Sequence, residues 1–422
     1  MKNYKKTNCR LCGSKKLIAA VKLTPTPPAD SYLKKNDFSK VLKEIPLTVM
    51  LCKDCGHSQL SHVINAKQVY LNYIYETAST LGLDNHFKKC ADEVYKAYKP
   101  KKGGLVVDIG SNDGILLHFF KKKGMKVLGV DPMPGISKKA AKYGVKTLEI
   151  FFNKKEANKI KKKFGSAEII TSNNLVADTD NLDDFVIGVK ELMTNDTIFF
   201  FETFYFYSQV KNFVWDFTYH EHYSYFTIGP LIQYFKKFDL EIIDVVKNNT
   251  KGGSMRVVIQ KIGAKRKIFK NVYKCLKDEK KSKLNSIIGI KKYSERIQKS
   301  KNNFQIFSKK LIKYKVVGYG ASATSTTLIY HYKLNKILNY LVDDFKAKIN
   351  LYSPGFKIPV YASEKLLKDK PDYVLILAWR YAKKIIKKNI SYLNQGGKFI
   401  LPLPNIKILN KNNYKNYLKK QF

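Results

Sequence analysis

Between residues 105 and 260 the chain alternates two kinds of hydrophobic pattern. Short apolar runs at 105–109, 127–130, 168–171, 197–201, 240–246 and 255–260 have the length and β-branched or aromatic content of buried strands. Between them, 114–123, 136–143, 185–192 and 231–238 carry apolar residues at the spacing that puts one stripe on a helix. Strands alternating with helices predict a doubly wound sheet covered on both faces. The pattern then restarts. Strands are predicted at 315–317, 338–342, 373–378 and 398–401, with a helix running from the 318–323 loop to Tyr332. This second unit is again Rossmann-like α/β. A lysine-rich, largely helical stretch at 265–313 is expected to bridge the two, and the tail from Asn410 to be frayed or a short helix. Upstream, 84–98 has helical spacing and is ended by Pro100 and Gly103-Gly104; 65–75 also reads as a helix.

At 422 residues the chain is too long for one ordinary core, and three domains are expected, at 1–70, 71–262 and 263–422. A net charge of +44 raises the question of nucleic acid. Only five of the 78 basic residues are arginine (Arg10, Arg256, Arg266, Arg296 and Arg380), whereas base readout and phosphate forks favour arginine. The lysines are spread over almost every predicted helix, which biased codon usage explains better, so nucleic acid is not an expected partner. Such a surface would attract a small anionic substrate, and less strongly in high salt. Met1 to Arg10 is polar and basic with no apolar stretch behind it, and no run reaches the roughly 18 apolar residues of a membrane span. Neither a secretory signal nor membrane insertion is expected, and a cytoplasmic location is. Cysteines there pose a metal question rather than a disulfide one.

Four of the six cysteines form two pairs, Cys9-x-x-Cys12 and Cys52-x-x-Cys55. Two thiolates three positions apart converge on a tight turn, so each pair can supply half of a tetrahedral shell. Gly13 and Gly56 follow directly and relieve the backbone of those turns. Four thiolates leave no open position, so the expected zinc holds structure and does no chemistry. His57 and His62 are superfluous to a full shell. Cys90 and Cys275 read as core residues.

The loop Asp108-Ile-Gly-Ser-Asn-Asp-Gly114 follows the first strand of the long alternating stretch. Gly110 lets a ligand approach the backbone, and Gly114 lets the next helix pack closely. Asp131 ends the following strand, 21 positions after Gly110, where a carboxylate can accept hydrogen bonds from both ribose hydroxyls. Asn112 stands where dinucleotide enzymes place a second glycine for the pyrophosphate. That favours S-adenosylmethionine, which has no phosphates. Asp108, Gly110, Asn112, Asp113, Gly114 and Asp131, with Asn173-Asn174 after the fourth strand, are the expected donor-binding residues. A second loop, Gly318-x-Gly320-x-x-Ala323 with Asp343 beyond it, leaves three readings open: a nicotinamide site, small residues for packing alone, or a face toward the substrate.

Tyr219-His-Glu-His222 is a dense set of proton-transfer groups. A histidine with pKa near ~6.5 is a suitable base at neutral pH, and a tyrosine can donate to a developing oxyanion. His222, Tyr219 and Glu221 are the candidate catalytic residues, while His220 reads as structural. A carbon nucleophile requires a proton beside a carbonyl, so the substrate should carry a keto group.

With these residues the chain resembles the sugar C-methyltransferases that act on nucleotide-linked keto-deoxysugars. The resemblance runs through Cys9-Arg-Leu-Cys-Gly13, Leu51-Cys-Lys-Asp-Cys-Gly-His57, Gly110-Ser-Asn-Asp-Gly114, Tyr219-His-Glu-His222, Gly252-Gly253-Ser254 with Arg256, Gly318-Tyr-Gly-Ala321, Asp343-Asp344, Ala378-Trp379 and Pro402-Leu-Pro404. It implies an α/β enzyme. A class I methyltransferase Rossmann-like domain stands between a small amino-terminal zinc-binding domain and a second, carboxyl-terminal Rossmann-like substrate-binding domain. It also implies that His222 is the base, that Tyr219 and Glu221 surround the reacting sugar, and that Tyr75, Asp178, Gly253 and Arg256 lie on the substrate side.

Two departures stand out. Asp178 takes a place where the family often has histidine. Arg380 with Lys383-Lys384 follows Trp379, where an asparagine and an acidic pair are usual. The expected activity is C-methylation through a base-generated enolate, with S-adenosylmethionine and structural zinc, by a monomer acting on a nucleotide-linked sugar. Two alternatives are a sugar O-methyltransferase, which needs the same donor but no ketone, and a silent nucleotide-sugar-binding module.

Overall fold

The computed structural model describes residues 4–64 and 82–419. The expected helix at 65–75, and Tyr75 with it, lies outside the described residues.

The amino-terminal module is a set of short strands, β1 (Tyr4–Lys5), β2 (Leu17–Thr26), β3 (Ile45–Cys52), β4 (Ser58–Leu60) and β5 (His62–Val63). In the central domain, β6 (Leu105–Ile109), β7 (Lys126–Val130), β8 (Lys146–Leu148), β9 (Ala167–Asn173) and β10 (Met193–Phe204) run parallel in the order β8-β7-β6-β9-β10. Past β10 lie β12 (Leu240–Asn248) and β13 (Ser254–Lys261), with β13 between β10 and β12 and antiparallel to both.

The strands read as unbroken apolar runs because both faces are covered. Alternate residues serve different sides. Val106, Ile169, Phe200 and Val258 join the cluster under the helices Leu83–Tyr98 and Ile115–Lys122. Val107, Ile170, Phe199, Phe201 and Val257 face the larger core on the other side.

The strand β11 (Ser224–Tyr225), directly after Tyr219-His-Glu-His222, leaves the central sheet. It pairs with β4 of the amino-terminal module, Ser224 against Gln59 and Tyr225 against Ser58. The third sheet takes the order β16-β15-β14-β17-β18-β19, from β14 (Val316–Tyr319), β15 (Leu338–Asp343), β16 (Val360–Ala362), β17 (Tyr373–Ile376), β18 (Lys398–Leu401) and β19 (Lys407–Leu409). Only β19 is antiparallel to its neighbour.

The helix Ala323–Tyr332 is buried along almost its whole length because it is wedged between all three units. Thr326 Oγ1 donates to the Ala29 carbonyl at 2.7 Å and Thr327 Oγ1 to the Thr218 carbonyl at 2.9 Å. The lysine-rich bridge also packs. Glu279 on the helix Lys270–Ser282 accepts from Tyr205 Oη and from the backbone N–H groups of Ile228 and Gly229 at the start of another helix.

Outside the amino-terminal strands and β11, which it does not predict, the hydrophobic pattern misses the strands β8, β16 and β19, the short helices Phe206–Asn212, Lys365–Asp369, Ala382–Lys388 and Ile390–Asn394, and the longer helix Lys154–Phe164. The strands have three residues each, and that helix buries only Ala157 and Ile160 among its lysines. The tail carries a helix at Tyr414–Lys419.

Candidate active site

One cavity opens at the carboxyl ends of β6, β7 and β9 and reaches the loop that carries Tyr219, Glu221 and His222. Asp108, Gly110, Asn112, Asp131, Asn173, Asn174 and Asp178 line it with those three, so the fold gathers most of the expected site around a single space.

The loop after β6 is fixed by its own acid. Asp131 Oδ2 accepts from the Asn112 N–H at 2.9 Å and Oδ1 from the Met133 N–H at 3.0 Å. Gly110 needs its positive φ of 79°, and a Cβ there would press on Leu175 at 3.1 Å. Three buried oxygens on the lining have no partner: Asp108 Oδ1, Ser111 Oγ and Asn173 Oδ1. Burial, with Asp131 and Asp113 nearby, raises the Asp108 carboxyl well above its ordinary range. Unsatisfied buried acceptors are expensive unless a ligand supplies donors. An amino acid ammonium and ribose hydroxyls are such donors. The apolar walls Met133, Ile150, Phe152 and Leu175 offer a flat adenine a dry slot. The residues present therefore fit S-adenosylmethionine.

At the other end, His222 Nδ1 meets the Phe217 carbonyl at 2.9 Å. A carbonyl can only accept, so Nδ1 carries the proton and Nε2 keeps its lone pair for the cavity. The ring lies 4.0 Å from that of Tyr219 and 4.7 Å from those of Phe204 and Phe217, centroid to centroid. Burial pushes His222 down to about 3, so it stays neutral.

Glu221 is pushed up to about 8, by burial first and then by Asp30. Asp178 is raised by burial and by Glu221, against the opposing pull of Lys251. Lys251 lines the same cavity and is absent from the sequence-based candidates. Its signal was its place just before Gly252-Gly253, which 78 basic residues conceal. Ser111 and Phe152 were missed as well, as ordinary members of a loop and an apolar run.

Four expected site residues do not line the cavity. Arg256 on β13 points to the helix Leu83–Tyr98, where Nη2 pairs with Glu93 Oε2 at 2.6 Å. Gly253 shapes a turn: its carbonyl accepts from the Tyr205 N–H at 3.0 Å, and a Cβ would meet Ser208 at 2.6 Å. Asp113 Oδ1 accepts from the Ile115 N–H at 3.3 Å at the start of a helix, and Gly114 packs that helix against Ala140 and Val145. His220 Nε2 donates to the Ile45 carbonyl at 3.2 Å and ties the loop to β3.

Arg380, from the third unit, grips the turn that precedes the site loop. Its Nη1 lies 2.7 Å from buried Asp216 Oδ2, which also accepts from Trp379 Nε1 at 2.9 Å, and its Nη2 donates to Thr324 Oγ1. The second glycine loop is built like the first. Asp343 accepts from the N–H groups of Ala321 and Phe345, and Ala378 sits where a Cβ on Gly320 would fall, at 2.7 Å. Packing explains Gly320, and none of residues 318–323 lines the cavity.

The sulfurs of Cys9, Cys12, Cys52 and Cys55 all lie within 4.8 Å of one another, with 3.6 Å between Cys9 and Cys55 and 3.5 Å between Cys12 and Cys52. Four thiolates at ~2.3 Å from a zinc stand ~3.8 Å apart, so the cluster fits that ion. Arg10, inside the first pair, carries the module's position to the cavity, with Nη2 3.1 Å from Asp180 Oδ1.

Three family models match in chain order. They are a zinc binding domain over residues 9–70, a methyltransferase domain over 84–245 and a C-methyltransferase C-terminal domain over 249–404. The C-methyltransferase NovU of Streptomyces niveus is 28% identical over 404 residues, 95% of this chain and 96% of that protein. A crystal structure of an S-adenosylmethionine-dependent methyltransferase from Clostridium acetobutylicum ATCC 824 overlaps 44% of this chain and 94% of its own, at 14% identity and a TM-score of 0.35. Magnesium protoporphyrin IX methyltransferase from Synechocystis PCC 6803, with bound S-adenosylhomocysteine, overlaps 43% and 84%, at 13% identity and a TM-score of 0.34. Matched along nearly its whole length by a zinc-binding, a methyltransferase and a C-methyltransferase domain in that order, the chain belongs to the S-adenosylmethionine-dependent C-methyltransferase family.

Proposed function

We propose that this enzyme methylates a carbon beside the carbonyl of a nucleotide-linked keto-deoxysugar, and that His222 makes the carbon nucleophile. The observation that carries this is the orientation of His222: its Nδ1–H is held by the Phe217 carbonyl, and its ring lines the cavity that also contains the donor-shaped end. Nε2 takes the proton from the carbon, and the C–H electron pair becomes the enolate. Tyr219 lies on the same lining and serves to orient the sugar, and Glu221 binds a hydroxyl or steadies the imidazolium as it forms. When bound, S-adenosylmethionine supplies an electrophilic methyl group whose bond to sulfur breaks with the electron pair left on sulfur. Asp108, Ser111 and Asn173 orient the donor's polar groups, and Asp131 its ribose. The lysine-rich surface favours an anionic substrate such as a nucleotide-linked sugar.

Deuterium exchange tests this. Enzyme, a panel of nucleotide-linked keto-deoxysugars and S-adenosylhomocysteine, which fills the donor site, are incubated in deuterated water and the sugars weighed by mass spectrometry. One carbon-bound deuterium should enter the true substrate. His222→Asn should slow exchange and turnover together by about 10² to 10⁴, the range for losing a general base, with donor affinity nearly unchanged. Methylated product without any carbon exchange would mean an oxygen nucleophile, and the proposal would fall.

A further inference from the structure

We propose that Lys251 is a further catalytic residue, whose ammonium receives the keto oxygen of the sugar and holds the negative charge that this oxygen acquires. This rests on the carbon-methylation proposal above. Burial leaves His222 a weak base, at about 3, and a proton beside a ketone is far less acidic than an imidazolium. Proton removal therefore needs a positive group at the carbonyl oxygen. Lys251 lines the cavity with Tyr219, Glu221 and His222.

Its backbone is held in an unusual shape, with φ 51° and ψ 25°. Of the other left-handed lysines, Lys99, Lys283, Lys333 and Lys370 each cap the end of an α-helix, where that conformation is common, and Lys357 lies in a loop of the third unit away from the cavity. Lys251 caps none. A network fixes it instead. Gln209 Nε2 donates to the Lys251 carbonyl at 3.2 Å, and Thr250 Oγ1 and Asn248 Nδ2 both donate to buried Glu202. Gly252 leaves no room for a Cβ, which would meet Val214 at 2.9 Å and Arg380 at 3.0 Å. Strain held this firmly beside a cavity is a mark of function.

The charged groups around Lys251 are Asp178, Glu202 and Glu221, which favour its cationic form, and Arg380, which opposes it; burial is the largest influence and lowers its pKa below the usual 10.5. The step balances. The carbon's proton goes to His222 Nε2, the C–H pair forms the carbon–carbon double bond, and the carbonyl pair moves onto the oxygen beside Lys251. Transfer of the methyl group to carbon then restores the carbonyl.

The test uses the same exchange assay, with S-adenosylhomocysteine present and no methyl donor. Lys251→Met should slow deuterium entry by about 100- to 1000-fold, the scale for losing one oxyanion donor, and leave S-adenosylmethionine affinity by calorimetry unchanged. Wild-type exchange should fall at alkaline pH with a midpoint below 10.5, and Lys251→Arg should retain partial exchange and move that limb upward. Exchange by Lys251→Met at the wild-type rate would overturn the assignment and leave the carbon-methylation proposal standing. A parallel loss of donor affinity would also overturn it, since Lys251 would then be structural. Methylation by wild-type enzyme without any exchange would remove both.

Discussion

Each oxygen of the Asp131 carboxylate already accepts one backbone N–H, which uses two of about four lone-pair positions and leaves the rest for a ligand. One residue thus shapes the donor loop and is available to the donor. Asp131→Ala is expected to weaken S-adenosylmethionine binding by about 1.5–3 kcal/mol, the scale of lost charge-assisted hydrogen bonds. Asp343→Ala should leave it unchanged, because that carboxylate caps the other loop. Calorimetry showing the reverse would move the donor to the last unit. Asp108, Gly110 and Asp131 were legible in sequence because strand ends, glycine and acid follow one another at a fixed spacing. Arg256 and Gly253 stood in an equally recognisable motif, yet their side of β13 and of the turn is set by partners such as Glu93 and Ser208. Lys251 was illegible for a different reason. Its place on the cavity is set by a turn that Gln209 and Glu202 hold from a distance, and no residue pattern announces that when lysine is everywhere.

At the scale of elements, the short turn Trp215–Phe217 is where the third unit grips the central domain. Arg380 and Trp379 converge on Asp216, which is fully buried, and the carbonyl of neighbouring Phe217 fixes His222. Removing one partner of a buried ion pair leaves an uncompensated charge. Arg380→Met should therefore destabilise the protein by about 3–5 kcal/mol and lower turnover through the turn that holds His222. Adding Asp216→Asn to Arg380→Met should recover much of that stability. Chemical denaturation of the single and double variants measures this, and strictly additive losses would mean that the pair acts independently. The sequence singled out Arg380 as unusual but gave no partner, since Asp216 lies more than 160 positions away in a run of aromatic residues. In the two α/β units the order of the main strands and helices was readable from hydrophobic period, whereas the strands of the amino-terminal module were not. The pairing of β11 with β4 was not, because two residues carry no period at all.

For the whole molecule, joints between units are built from neutral buried histidines. His220 holds the site loop to β3, and His331 lies against Trp215 while its Nδ1 accepts from the Thr24 N–H at 3.2 Å. With His222, they are pushed down by burial to about 4, about 3 and about 3 respectively. In the unfolded chain each titrates near ~6.5. Between those values each of the three binds a proton in the unfolded state that it lacks in the native one, which makes stability rise with pH; buried His57, pushed down to about 3, adds to this, and Glu221, Asp108 and Asp178, raised by burial, work against it. The contribution is complete above the unfolded value and is lost as pH falls toward the folded values. Each of these histidines should therefore add up to about 1.4 kcal/mol per pH unit to the slope between about pH 6.5 and 4. His331→Phe removes one such proton and should lower the slope by about 1.4 kcal/mol per pH unit, whatever the other groups contribute and whatever it does to stability at neutral pH. Urea denaturation at several pH values gives the slope directly. A slope unchanged by His331→Phe would mean that this joint already accepts a proton while folded, and that the buried interface between the units opens before the domains themselves unfold.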